Sequence, residues 1–443
     1  MAKVTAEIEA ALKSKLDSVT SKPNGVPGLV YVAVNKDGDT VFEHASGKRG
    51  LDSKEPMTTD TVFWIASCTK MITSIAAMQL VEQGKLALDD VSLVERLAPE
   101  LKDVKVLQEN ESGNLTLVEK ERGITLRMLL SHTAGFGYDF LNTKLRKWSE
   151  PIGASALSAR KGDILLQPLV NQPGSRWEYG VNLDWAGELV MRASGLKLND
   201  YMQKYIFEPL GVKDVSMFPT EDMKRRLAWV HSRASDGTLS TREEGHPYQS
   251  PLRINTSEEY ESTYHSGGAG CFAVPKEYCK IIAVLLNNGR CPKSGVQILK
   301  PESVEGQTYG KNLSPEANYF AELVKNQIPE FPDFGRQGIS SSKSWISKPS
   351  TDIYPQPNKP QGWSFAGFHH IHGTQTGRAP GTVFWSGVAN LFWWADRERG
   401  LGGLIASQIV PFADLTVVMT SAEIEAALYA ALNSKGPGSA SVL

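Results

Sequence analysis

The stretch Thr61-Val-Phe-Trp-Ile-Ala-Ser-Cys-Thr-Lys-Met-Ile-Thr-Ser-Ile-Ala-Ala-Met-Gln-Leu-Val-Glu-Gln-Gly84 decides how the rest of the chain reads. Residues 62–65 are strand-like, and they run straight into Ser67. From there Met71, Ile75, Met78, Leu80 and Val81 recur at helical spacing as far as Gly84, a residue suited to the left-handed position after a helix. A strand therefore feeds a helix of about four turns with Ser67 in its first turn. Residues three apart on a helix stand side by side, so Lys70 is expected beside the Ser67 hydroxyl. A lysine desolvated at that place can lose its proton and act as base toward the serine. The same Ser-x-x-Lys pattern occurs at Ser158/Lys161 and Ser340/Lys343, but both lie in polar stretches with no strand before them.

Working outward, residues 5–18 have one apolar helical face, and 29–34 form an apolar strand. Asp37-Gly38 joins that strand to a second, beginning at Thr40, as a hairpin. The middle, 86–259, is mostly helical in pattern. Strand signals return at 382–385, 390–394 and 403–407, and a last helix is expected over 414–432. Both ends of the chain thus belong to one sheet: a sheet domain of 1–85 plus 260–443 and a helical insertion of 86–259. Between Asn312 and Pro360 the pattern dissolves into Ser, Pro and Lys, which reads as a lid, a channel wall or a plain surface loop. The tail from Gly436 reads as disordered. A heptapeptide, Ala-Glu-Ile-Glu-Ala-Ala-Leu, occurs at both 6–12 and 422–428, and it reads as a coincidence between two good helix formers.

Composition narrows the partners. The 443 residues are 41% hydrophobic, with 47 basic against 49 acidic side chains, so there is no charge footprint for nucleic acid or an anionic membrane. Small neutral molecules are the expected partners. The four cysteines, 68, 271, 279 and 291, form no CxxC pair and are too sparse for a disulfide framework. The first ten residues lack the apolar run of a signal peptide, and no stretch offers 18 uninterrupted apolar residues. A cytoplasmic monomer is the expectation.

Two further groups could share in the chemistry. Tyr179 follows the Pro173-Gly174 turn, ahead of a helix expected near Leu183, and a phenol near a cation could take part in proton transfer. Phe384-Trp-Ser-Gly-Val388 ends a strand, where Gly387 allows close backbone approach and the Val388 amide could join that of Ser67 in an oxyanion hole. His369, His370 and His372 have no regularly spaced acidic or Cys partner, which argues against a metal site. His132 reads as a structural residue in a turn, and Cys68 as a small packing residue.

In this order and spacing, the three elements resemble the class C β-lactamase-like superfamily of serine hydrolases: Ser-x-x-Lys, then a tyrosine motif, then a Lys/His/Trp-x-Gly strand. The stretches 124–135, 206–211 and Ser266-Gly-Gly-Ala-Gly270 resemble it too. Fungal transesterases typified by the lovastatin acyltransferase are most similar, with family VIII carboxylesterases next. The resemblance implies an α/β fold of the β-lactamase/penicillin-binding-protein type, an antiparallel sheet flanked by helices with an inserted helical domain. It implies Ser67 as nucleophile, Lys70 and Tyr179 as base and acid, and no metal or organic cofactor. The substrate implied is an apolar ester or thioester, with water, an alcohol acceptor or an acyl carrier as further reactant. Two departures bear on substrate. Asn182 stands three residues after Tyr179 where β-lactamases carry Tyr-x-Asn, and Trp385 stands where they carry lysine. Asn182, Trp385, Ser386, Gly387, Tyr138 and Trp363 are the expected substrate contacts. A penicillin-recognising hydrolase and a non-catalytic ligand-binding protein on the same scaffold are the alternatives.

Overall fold

Residue 31 sits at the middle of a strand with no exposed position, and that burial sets the architecture. The computed structural model describes residues 4–300, 319–334 and 359–433. Strand β1 (Gly28–Asn35) is buried along its whole length because helices cover both faces of the sheet at this strand. Its continuous apolar run, 29–34, is the sequence form of that double cover. Gly38 takes φ +73° in the turn to β2 (Thr40–Gly47), as the Asp37-Gly38 pair predicts.

Five more strands complete the sheet: β3 (Gly362–Trp363), β4 (Phe368–His369), β5 (Val383–Gly387), β6 (Leu391–Asp396) and β7 (Leu401–Ala406). The order is β3-β4-β5-β6-β7-β1-β2, with every pair antiparallel. The N-terminal hairpin is thus hydrogen bonded to the C-terminal strand β7, and both ends of the chain build one sheet.

Helix α1 (Ala6–Thr20), capped by Thr5, lies on β2 and against the last helix, α5 (Leu415–Asn433). Two helices carrying the same heptapeptide are therefore neighbours, linked by Lys15 and Glu423. Helix α5 is apolar enough over Leu415–Leu432 to cross a membrane by length and composition. Here Arg378 anchors it through two hydrogen bonds to the buried Glu425, at 2.8 and 2.6 Å. Helix α4 (Pro275–Leu286) covers β1, β6 and β7. Between sheet and helices runs α2 (Thr69–Glu82), in which every residue from Thr69 to Leu80 is buried.

The segment 86–259 is less purely helical than its pattern suggests. It contains α3 (Asn182–Ser194) and several short helices. It also contains the hairpin Val106–Glu109/Leu115–Val118, and it is stitched to the rest by strand pairs. Val215–Ser216 pairs with Phe272–Ala273, and His231–Arg233 pairs in parallel with Ile409–Val410. These strands are two to four residues long, too short for alternation to register. Of the stretch 312–360, the described part includes a helix, Tyr319–Val324, packed on α2. The remainder of that stretch, including Ser340 and Lys343, lies outside the described residues, as does the tail from Gly436.

Candidate active site

The reversal from strand to helix at Ser67 is tight. Ser67 lies in a 3-10 turn, Ala66–Cys68, that precedes α2 rather than in the α-helix itself. Ala66 accommodates the reversal with φ +44°, a left-handed conformation costing about 1–3 kcal/mol for a residue with a Cβ. Buried hydrogen bonds hold the turn in place. Ile65 N donates to Cys271 O at 3.0 Å, Cys271 N to Thr69 Oγ1 at 3.0 Å, Tyr278 Oη to Cys68 O at 2.9 Å, and Gln408 Nε2 to Trp64 O at 3.0 Å.

Lys70 Nζ is 3.1 Å from Ser67 Oγ, 3.0 Å from Tyr138 Oη and 2.8 Å from Gly268 O. As an ammonium it donates to all three. As a neutral amine it keeps two N–H groups for Tyr138 and Gly268 and turns its lone pair to the serine hydroxyl. Burial draws the Lys70 pKa down to about 7, against the pull of the Asp184 carboxylate. Both protonation states are then accessible near neutral pH.

Tyr179 completes the cluster. Its hydroxyl is hydrogen bonded to the Ser67 side chain and accepts from Trp385 Nε1 at 2.8 Å. The phenol oxygen thus lies between the indole N–H and the Ser67 side chain. The ammonium of Lys70 stands 4.7 Å from the Tyr179 ring centroid. The expectation that a nearby cation would ease loss of the phenolic proton is not met: burial outweighs the hydrogen bonds from Ser67 and Trp385 and pushes the Tyr179 pKa up. Tyr179 is held as a phenol, and Lys70 is the group positioned to accept a proton.

Beyond Phe384 strand β5 is free of β4, and its edge runs past the serine turn. A Cβ on Gly387 would lie 2.6 Å from Ile65 O, so only glycine lets strand and turn approach this closely. Neither the Ser67 nor the Val388 amide donates to a backbone acceptor among the described residues, which leaves both N–H groups for an oxyanion.

The expected substrate contacts divide. Trp385 packs edge-on against Trp363 with centroids 4.6 Å apart, and its N–H is committed to Tyr179. Ser386, half-buried, alternates to the other face of β5. Tyr138, expected to contact substrate, is buried and belongs to the cradle of Lys70. Asn182 is corrected outright: it is fully buried, and its Nδ2 lies 3.0 Å from His132 Nδ1, 3.0 Å from Phe136 O and 3.1 Å from Glu178 O. It fastens the tyrosine turn and does not face a substrate. His132 receives it there, with its ring 4.7 Å from that of Tyr179. Burial and Lys70 push the His132 pKa far down, so the imidazole is neutral. The three-histidine stretch lies apart from this cluster: His369 Nδ1 is 2.9 Å from Val324 O, and His370 stacks on Phe384.

Sequence reasoning assigned no role to Asp184, or to Gly268 within the stretch 266–270. An acidic residue in the first turn of a helix is ordinary, and nothing in its spacing points to a lysine 114 positions earlier. A cavity of about 250 Å³ lies on the outer side of the aromatic wall, lined by Arg176, Trp177, Glu330, Phe331 and Phe334 among others. Trp177 separates it from Tyr179, stacking on that ring at 5.8 Å.

The chain is similar to known proteins. The family model described as Beta-lactamase matches residues 16–428. ML-236A carboxylate methylbutanoyltransferase of Penicillium citrinum is 30% identical over 439 residues, covering 96% of this chain and 94% of that protein. Lovastatin esterase of Penicillium rubens is 32% identical, covering 87% of this chain and 89% of its own length. Among solved structures, unliganded simvastatin synthase from Aspergillus terreus superposes with a TM-score of 0.77 at 26% identity, covering 98% of this chain and all (100%) of the other. A family VIII carboxylesterase shares the fold at a TM-score of 0.60 and 17% identity, covering 98% of this chain and 99% of the other.

Proposed function

The chain belongs to the beta-lactamase family and is a serine acyl-transfer enzyme, and from that premise we propose that Ser67 takes an acyl group from an apolar small-molecule ester or thioester and passes it to an alcohol or to water. The observation that carries this reading is the hydrogen-bonded cluster of Ser67, Lys70 and Tyr179 at the edge of β5. Relatives that carry the names methylbutanoyltransferase and esterase support both outcomes for the acyl group.

The steps follow from the geometry. Ser67 Oγ attacks the acyl carbon as its proton passes to the Lys70 lone pair, and the carbonyl electron pair moves onto oxygen, held by the Ser67 and Val388 amides. On collapse the bond to the leaving group breaks, and Tyr179 gives that group its proton. The resulting phenolate is stabilised by the Trp385 N–H and by the Lys70 ammonium beneath its ring. In the second half Tyr179 takes the proton of the incoming alcohol or water, whose oxygen attacks the acyl carbon. Ser67 leaves and recovers its proton from Lys70. The aromatic lining favours an uncharged acyl chain.

The test is intact-protein mass spectrometry after brief mixing with p-nitrophenyl butyrate, for the wild type and Ser67→Ala, with nitrophenol release followed with and without cyclohexanol. The expected result is a butyryl adduct in the wild type that is missing in Ser67→Ala, with faster turnover and a new butyrate ester when the alcohol is present. No adduct with the ester and no labelling of Ser67 by a fluorophosphonate would overturn the reading. Trp363 packs against both Trp385 and His132, with centroids 4.6 and 5.2 Å away. Trp363→Ala should therefore widen the acyl side and shift kcat/KM toward longer p-nitrophenyl esters. An unchanged chain-length profile from acetate to octanoate would remove Trp363 from that wall.

A further inference from the structure

A buried carboxylate stands close to this cluster and takes no part in the steps above. Asp184, in the first turn of α3, is buried, and its Oδ1 accepts from Ser266 Oγ at 2.6 Å and from Gly268 N at 3.1 Å. Gly268 in turn offers its carbonyl to Lys70 Nζ at 2.8 Å. One residue therefore joins carboxylate and amine. A Cβ on Gly268 would lie 2.4 Å from Asp184 Oδ2 and 3.1 Å from Tyr138 Oη, so the carboxylate comes closer to this backbone than any other residue type would permit.

We propose that Asp184 is the counter-ion of Lys70, a positioning residue that acts across Gly268 to stabilise the ammonium formed when Ser67 gives up its proton. This rests on the acyl-enzyme reading of Ser67. An isolated ammonium in a dry pocket is costly, and a fixed carboxylate with its own hydrogen-bond donors offsets that cost. Burial raises the Asp184 pKa, while Lys70, the hydrogen bonds from Ser266 and Gly268, and the dipole of α3 at its first turn favour the charged carboxylate. The other titratable groups facing Lys70 are held neutral by burial. Tyr138, Tyr179 and Cys68 are pushed up, and His132 is pushed down. Tyr248 and Tyr264, which face Asp184, are pushed up in the same way, and Asp139 stands beyond Tyr138. For both Lys70 and Asp184, the leading influence opposing burial is the other member of the pair. The charge that Lys70 gains during acylation is thus met by one already in place.

The experiment follows the rate of Ser67 labelling by a fluorophosphonate across the neutral pH range in the wild type, Asp184→Asn and Ser266→Ala. Removing the carboxylate charge destabilises the ammonium, so Lys70 sheds its proton at lower pH. The acid limb in Asp184→Asn should move down by about one pH unit or more, and the plateau rate should fall by about tenfold or more, because the amine is a weaker base whose cation lacks a partner. Ser266→Ala removes one donor from the carboxylate, raises its pKa and should move the limb the same way by less. That variant carries the test alone if Asp184→Asn does not fold. A limb that stays in place, with the rate reduced evenly at all pH or only the reagent concentration dependence altered, would show a merely structural role and sink the proposal. An unlabelled wild type would remove the acyl-enzyme reading and this inference together.

Discussion

Lys70→Met and Lys70→Arg should each lower the rate of Ser67 acylation by about 10²- to 10⁴-fold, the usual contribution of a positioned general base. The pairing of variants separates two roles that a buried cation can have. If Lys70 served only as positive charge near the developing oxyanion, arginine would keep much of the rate. If it accepts the serine proton, arginine fails as badly as methionine, because a guanidinium stays protonated at any working pH. The geometry favours the second outcome: the Nζ contact is with Ser67 Oγ itself, at 3.1 Å, and burial has drawn the amine down to about 7. The wild-type rate should accordingly rise with pH through about 7, since below it Lys70 holds a proton and its lone pair is occupied. Stopped-flow release of nitrophenol from p-nitrophenyl butyrate measures both effects. A Lys70→Arg enzyme within a few-fold of wild type would mean that the proton goes elsewhere.

That Lys70 mattered was legible in the sequence because strand, turn and helix are local. The 62–65 strand, the helical spacing after Ser67 and the i, i+3 relation of Ser67 to Lys70 need no tertiary information. Its surroundings were not legible, because Tyr138 and Gly268, which touch the amine, and Asp184 behind Gly268 come from three separate segments. The order of the sheet was similarly split. Asp37-Gly38 announces the hairpin of β1 and β2, whereas the pairing of β1 with β7 joins residues some 370 positions apart, as in Val30 opposite Ala406. Asn182 misled for a different reason. Its type suggests a substrate-binding asparagine although its distance from Tyr179 departs from Tyr-x-Asn, but the partners of its Nδ2 are His132, Phe136 O and Glu178 O, which it ties together behind the tyrosine turn. That Tyr179 stands beside Ser67, and that burial sets the direction of its pKa, are tertiary facts that spacing does not reveal.

Gly387→Ala should cost about 10²- to 10³-fold in kcat, the range found when an oxyanion-hole donor is lost. The added methyl would sit 2.6 Å from Ile65 O and 3.3 Å from Ile65 C, both backbone atoms, so no side chain can swing aside to admit it. The serine turn cannot retreat easily either, because Ile65 N and Cys68 O are tied to Cys271 and Tyr278. The strand edge must move instead, and Val388 moves with it, away from the Ser67 amide. Overpacking of this kind lowers stability by about 1–3 kcal/mol, so thermal melting has to accompany the kinetics. Ser386→Ala is the control: its side chain is half-buried on the other face of β5, and its loss leaves the edge where it is. The result that counts against the oxyanion assignment is a folded Gly387→Ala protein with kcat within a few-fold of Ser386→Ala. A large loss of kcat at little change in KM would place the defect in the transition state, where an amide at Val388 has its effect.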